Sequence, residues 1–290
     1  MDDLTKKFQG WKEKIDQALE EYLPREEPTL FEAMHYALFS GGKRFRPLLL
    51  FSVGHYFRAL EEEMVPVACA VEFIHSYSLI HDDLPSLDND DFRRGKPSLH
   101  RAFGEAIALL AGDALLTLAF QVVAEASFSP SRLAIKVEIV RRLSQAAGVS
   151  GMIGGQIQDL QLTDEVRDEA RFLAMVGKKT GQLITFSVMT GGLLGEASER
   201  ERRALFNFGQ NLGLAFQLRD DLADLNQDEQ ARQQAKNSPN YALVFGQAKT
   251  RQEVNSYVDK AVGALKEGGI NSPELIYLSE KLRVEKEDVR

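Results

Sequence analysis

Apolar residues recur three or four positions apart along almost the whole chain, as at Leu4, Phe8, Trp11, Ile15, Leu19 and Leu23. That spacing lines one face of an α-helix. Applied throughout, it predicts helices at about 4–23, 30–40, 45–60, 65–83, 103–127, 130–149, 165–178, 183–194, 199–225, 241–268 and 273–288, with ends uncertain by about two to four residues. Start signals recur: Thr29 with Glu32 and Ser198 with Glu201 have the capping-box spacing, and Ser129-Pro130 and Ser272-Pro273 place proline just inside a helix start. The segments 65–83, 103–127 and 199–225 are apolar around most of their circumference, as central members of a bundle should be. The Gly-Gly pairs at 41, 154, 191 and 268 lack flanking alternating segments, so no hairpins are expected. No Pro/Gly/Ser-rich linker or repeat divides the chain. The expectation is therefore all-α, with residues 1–290 forming one helical-bundle domain.

Composition narrows the function. With 35 Lys+Arg against 43 Asp+Glu the net charge is −8, which argues against a nucleic-acid partner. The sole cysteine, Cys69, excludes an intrachain disulfide framework or a thiolate zinc site and fits a reducing, cytoplasmic setting. The longest charge-free stretches, Leu143–Gln158 and Thr180–Gly195, reach only 16 residues, short of the roughly 18 apolar residues of a membrane span. The start Met1-Asp2-Asp3-Leu4 lacks the basic residues of a signal peptide.

Two acidic clusters stand out. The first is His81-Asp-Asp-Leu-Pro-Ser-Leu-Asp-Asn-Asp-Asp91, after the apolar segment Val71–Ile80. Pro85 disfavours helical geometry at Leu84, so the helix should end near Asp82 and Asp83 and leave Asp88 on the following loop. Carboxylates at the negative end of a helix dipole are each disfavoured by up to about 1 kcal/mol; something positive should compensate. The second cluster is Phe216-Gln-Leu-Arg-Asp-Asp-Leu-Ala-Asp224. Asp220, Asp221 and Asp224 share one helix face, where like charges cost about 0.2–0.5 kcal/mol per pair. A solvated acidic face with Arg219 as partner would explain one such cluster; two, each with an Asp-Asp doublet and an apolar approach, favour a function. Carboxylate oxygens suit Mg²⁺, which commonly bridges one or two of them to substrate phosphates.

Basic residues gather locally despite the overall acidity: Gly41-Gly-Lys-Arg-Phe-Arg-Pro47, Arg93-Arg-Gly-Lys96 and Lys178-Lys-Thr-Gly181. Such triplets singly are most often solvated surface. Together they suit two polyanionic groups, one bridged by metal and one gripped by side chains and by backbone N–H groups near Gly42. His75, about two turns before Asp82, lies on roughly the same face and could add a donor. No nucleophile arrangement such as GxSxG is present.

These motifs, with AGDAL at 111–115, GGQIQDL at 154–160, KKTG at 178–181 and FQLRDDLAD at 216–224, resemble in order those of the trans-isoprenyl diphosphate synthases, and most closely their bacterial farnesyl-forming members. The resemblance implies an all-α bundle around a deep cavity, normally a homodimer. It implies that Gly42, Lys43, Arg46, His75 and Arg94 bind isopentenyl diphosphate without metal. Asp82, Asp83 and Asp88, facing Asp220, Asp221 and Asp224, would hold about three Mg²⁺ ions, or Mn²⁺, on an allylic diphosphate. Arg93 and Lys179, with Lys43 a further candidate, would complete that cradle, while Thr180 and Gln217 would line the reacting carbons. An aromatic at Tyr77's position would floor the cavity, although Tyr77 or Ser78 could face it and a tyrosine there could be plain core. The expected reaction is head-to-tail condensation of isopentenyl diphosphate with dimethylallyl or geranyl diphosphate to farnesyl diphosphate.

After Asp224 the text departs from the family, which continues through a Gly- and Lys-containing loop to a Lys-x-Thr-Tyr-Pro segment. Here the stretch to Tyr241 is shorter by several residues and has no clear counterpart of the loop lysine; Lys236 is a candidate of uncertain register. The shortened loop supports one alternative, a catalytically silent subunit of a synthase heteromer; a geranylgeranyl diphosphate synthase, which differs in tail-cavity depth, and a terpene cyclase, which shares the fold and the first motif, are the others. The all-Asp second motif disfavours the cyclase.

Overall fold

The computed structural model describes residues 3–162, 168–225 and 240–285. These residues are overwhelmingly helical, as expected, and the chain forms two compact units. The first comprises Met1–Phe51 and Ala59–Val140, the second Ser52–Arg58 and Arg141–Arg290.

In the first unit α1 (Asp3–Tyr22) buries Phe8, Trp11, Ile15 and Leu19, the stripe that the sequence period marks. Trp11 packs its ring 5.4 Å from Phe8 and 6.0 Å from Phe51. Helix α2 (Pro28–Phe39) starts at Pro28, with Glu27 outside it and no side-chain cap. The expected Thr29–Glu32 box is not its start, because proline's fixed φ already suits the first helical position. Helix α3 (Phe45–Tyr56) leads to α4 (Glu61–Asp82), which begins a turn earlier than its apolar period suggests. Glu61, Glu62 and Glu63 occupy that turn, where a helix dipole favours acids, and buried Glu63 is gripped by Arg132 at 2.8–3.0 Å. Helix α4 packs on α6 (Glu105–Glu125) and, less extensively, on α1 and α2. The expected helix over 103–127 is instead α5 (Leu99–Phe103) and α6, broken at Gly104 with φ +86°.

The expected absence of hairpins needs correction. Phe92–Arg93 and Lys96–Pro97 pair as two short antiparallel strands, β1 and β2. Their turn is Arg94-Gly95, both at positive φ (+56° and +78°), as a two-residue hairpin requires. Two helices, α4 and α6, are long and apolar enough to cross a membrane by length and mean hydropathy alone; interior packing accounts for α4, most of which is buried.

A short 3₁₀ turn at Pro130–Arg132 precedes α7 (Leu133–Ala147), which runs from the first unit into the second. There α8 (Met152–Leu160) is a helix that the glycine-rich sequence did not suggest. Helix α9 (Glu169–Val176) continues through a π-helical turn, Gly177–Gly181, into α10 (Gln182–Leu194). Helix α11 (Glu199–Leu225) starts with the expected box: Ser198 N donates to Glu201 at 2.7 Å and Glu201 N to Ser198 Oγ at 3.4 Å. The expected helix over 241–268 is two, α12 (Tyr241–Phe245) and α13 (Gln247–Gly268), parted at Gly246 with φ +92°. The last, α14 (Pro273–Glu280), is capped by Ser272 and ends well before 288. Phe172, Met175, Leu218, Leu222, Tyr241 and Val254 form a core in this unit. Its early piece, 52–58, is anchored by Tyr56 Oη, which donates to Gly269 O at 3.4 Å and accepts from Asn271 N at 3.2 Å.

Candidate active site

Each of the two units holds a cluster of candidate site residues. In the first, the 41–47 segment bends through Gly41 and Gly42 at φ +110° and +137°. Only glycine adopts these values freely, and a Cβ at Gly42 would come within 2.9 Å of Arg94 NH1. Arg94, an exposed residue on the hairpin turn, donates to the Gly41 carbonyl. Arg46 is buried and Lys43 exposed. His75, partly exposed on α4, is held well below the ordinary imidazole range, first by burial and then by the charges of Arg46, Arg94, Arg44 and Arg93. The charges of Arg46 and Arg94 therefore both act on His75.

Helix α4 ends at Asp82, with Asp83 as its C-cap. Asp88 N donates to the Asp82 carbonyl at 2.9 Å, folding the loop back onto the helix end. Asp83 is only 2% exposed. Arg93 Nε donates to both its oxygens, at 3.0 and 3.2 Å, and Arg93 NH2 donates to Asp83 and, at 3.1 Å, to Asp90. Burial raises the Asp83 pKa against the pull of Arg93. The hairpin therefore delivers much of the compensating charge that the helix end needs. Tyr77 is 4% exposed, with its ring edge-on to His81 at 5.7 Å. Its hydroxyl is buried without a hydrogen-bond partner, and burial, then Asp82, pushes its pKa up to about 12. Ser78 instead bonds its own helix, donating to His75 O at 2.8 Å.

In the second unit, Asp221 is 4% exposed. Its Oδ1 accepts from Gln217 Nε2 at 2.8 Å and its Oδ2 from Tyr241 N at 2.9 Å. Gln217 Oε1 accepts in turn from Thr180 Oγ1 at 2.7 Å, so Thr180, Gln217 and Asp221 form one chain. Burial pushes Asp221 up to about 7, against the Gln217 and Tyr241 bonds and with the nearby Asp224 and Asp220 charges. Asp220 and Asp224 are half-buried. Lys179 donates to buried Asp159 at 2.6 Å. Lys179 and Thr180 both sit on the π-helical turn, a feature frequent at functional sites. A Cβ at Gly155 would overlap Lys179 N, and one at Gly213 would lie 2.6 Å from Gly181 Cα, so two glycines let α8 and α11 pack directly on that turn.

The sequence reading missed the braces. Asn240 Nδ2 donates to Asp221 O at 3.0 Å, while its Oδ1 caps α12 at Ala242 N (2.9 Å) and Leu243 N (3.1 Å). Tyr241 Oη and Lys249 both donate to Glu169. The GGQIQDL run held the only prior hint, of Asp159. Of the shortened stretch after Asp224, residues 226–239, Lys236 among them, lie outside the described residues.

Among the described residues no three Asp, Glu, His or Cys side chains close into a metal cage. Each motif offers neighbouring carboxylates instead, a hard-oxygen donor set suited to Mg²⁺ that completes its shell with water and phosphate oxygens. The residues fit that ion. The polyprenyl synthetase family profile matches residues 27–240. The chain belongs to this family. It is 40% identical over 280 residues to the farnesyl diphosphate synthase of Geobacillus stearothermophilus, spanning 93% of each chain. Against a geranylgeranyl diphosphate synthase of Cyanophora paradoxa it is 40% identical over 76% of its length and 73% of the relative's. Its fold matches that of an FPP/GFPP synthase from Zymomonas mobilis with a TM-score of 0.84 and 35% identity, covering 97% and 98% of the two chains.

Proposed function

We propose that the chain is a short-chain prenyltransferase that joins isopentenyl diphosphate head to tail to dimethylallyl or geranyl diphosphate and yields farnesyl diphosphate. The observation that carries the reading is the Thr180–Gln217–Asp221 chain, in a polypeptide similar along 93% of its length to a farnesyl diphosphate synthase. Gly42, Lys43, Arg46, His75 and Arg94 take the diphosphate of isopentenyl diphosphate without metal. A neutral His75 suits this role as a hydrogen-bond donor among arginines. Asp82, Asp83, Asp88, Asp220, Asp221 and Asp224 hold magnesium, about three ions, with manganese an alternative for the same oxygens. Bound magnesium neutralises the charge that collects on the departing pyrophosphate. Arg93 and Lys179 add fixed positive charge there.

Thr180's proton is committed to Gln217. Its oxygen lone pairs therefore remain to face the developing allylic cation, whose attack by the isopentenyl double bond forms the new carbon–carbon bond. A proton then leaves the condensed cation, with the departed pyrophosphate as base. Buried Tyr77, rather than Ser78, limits the tail to farnesyl length. Residues 1–290 work as one synthase domain, as a cytoplasmic homodimer. Leu109 and Leu110, exposed on α6, support the dimer, because exposed apolar patches commonly mark protein contacts.

The experiment is product analysis with geranyl diphosphate, isopentenyl diphosphate and Mg²⁺. Farnesyl diphosphate is expected, with loss of turnover in EDTA and longer products from Tyr77→Ala. A hydrocarbon or alcohol would instead mean a cyclase, no turnover a silent subunit, and a geranylgeranyl product from the wild type would refute the length assignment.

A further inference from the structure

Arg44 is the one cation of the 41–47 segment to which the proposed reaction gives no task. It is 4% exposed. Its Nε donates to Asp16 Oδ1 at 2.6 Å, its NH1 to Glu72 Oε1 at 2.7 Å and its NH2 to the Leu38 carbonyl at 2.7 Å. All three nitrogens are thus engaged inside the protein, on α1, α4 and the end of α2. The guanidinium carbon also lies 5.6 Å from the centroid of the Phe39 ring. Glu72 is itself buried and sits one turn before His75 on α4.

Arg44 also holds an unfavourable backbone conformation, φ +50°, which a residue with a Cβ adopts only where its surroundings impose it. Its carbonyl accepts from Leu48 N at 2.9 Å, at the start of α3. The clamp therefore fixes the chain between Lys43 on one side and Arg46 on the other. Arg94, donating to Gly41 O, fixes the same bend from the hairpin. Two carboxylates against one guanidinium leave Arg44's surroundings unsuited to an anion, so this side chain is not itself a phosphate ligand.

We propose that Arg44 is a positioning residue for the metal-independent diphosphate pocket. Held by Asp16, Glu72 and Leu38, it keeps the 41–47 loop in its left-handed bend, so that Gly42, Lys43 and Arg46 meet a diphosphate together with His75 and Arg94. This rests on the prenyl-transfer reading above, and the test separates the two.

Arg44→Met removes the clamp, and Asp16→Asn loosens it with less risk to folding. In whichever variants keep the wild-type circular dichroism spectrum, the KM for isopentenyl diphosphate is expected to rise about tenfold, with kcat and the allylic KM changed less than about twofold. Calorimetric titration of the whole protein with inorganic pyrophosphate in EDTA should show a similar weakening. Should both KM values rise together, should folded Asp16→Asn bind pyrophosphate as the wild type does, or should the wild type bind none in EDTA, the proposal is overturned. A wild type that turns over no prenyl substrate refutes the prenyl-transfer reading alone, because the EDTA titration still decides the role of Arg44.

Discussion

Asp221 carries a cost of burial in its charged form. It is buried, and its carboxyl sits at about 7 where 3.8 is ordinary. A carboxyl raised in this way stabilises the fold most while protonated, and its contribution is lost as the pH climbs from about 4 through about 7. In EDTA at pH 8, Asp221→Asn should therefore be more stable than the wild type by on the order of 1 kcal/mol, read from urea midpoints. Turnover with magnesium should collapse. An unchanged or lower midpoint at pH 8 would show that the buried charge carries no such cost. The sequence groups the three aspartates on one helix face but cannot say which of them is buried. Helical phase makes Gln217 a neighbour of Asp221, whereas the Tyr241 amide arrives from twenty positions further on, a tertiary contact invisible to periodicity. Nor could the sequence say which of Tyr77 and Ser78 is buried, since that depends on what packs against α4.

The π-helical turn explains why the element pattern was hardest to read around 152–181. A surplus residue in a turn rotates everything after it by about 100°, so no single apolar stripe runs from Phe172 into α10. Regular spacing would put position 179 in phase with Phe172; the surplus residue gives the buried place to Thr180 and leaves Lys179 half-exposed. Gly155 lies inside α8, where a Cβ would overlap the Lys179 backbone and only glycine lets the two segments approach. Gly213→Ala places a methyl 2.6 Å from Gly181 Cα and should cost about 1–3 kcal/mol, with a fall in kcat as Thr180 moves off Gln217. Gly177→Ala, which meets nothing within 4 Å on the same turn, should leave both the denaturation midpoint and kcat near wild type. Equal effects of the two substitutions would remove the packing argument. Helices α1, α10 and α11 were legible almost to the residue, α1 from its apolar period and α11 from the Ser198–Glu201 box. The hairpin was not, because an Arg-Gly turn between two-residue strands leaves too short a pattern.

At the scale of the whole protein, α6 leaves apolar surface uncovered. It is apolar enough to pass for a membrane span, yet Leu109 and Leu110 stay 47% and 54% exposed, in keeping with the homodimer proposed above. Sedimentation at micromolar concentration should give twice the 32.4 kDa chain mass, and Leu110→Glu should return the monomer. A monomeric wild type would end that assignment. The compact units have a further consequence. Each is assembled from two separate lengths of polypeptide, since 52–58 interrupts the first and belongs to the second. No single cleavage or gene fission can release either unit intact. A fragment ending at 140 would carry a stranded heptapeptide, and its complement would lack the Tyr56 hydroxyl that anchors Gly269 and Asn271.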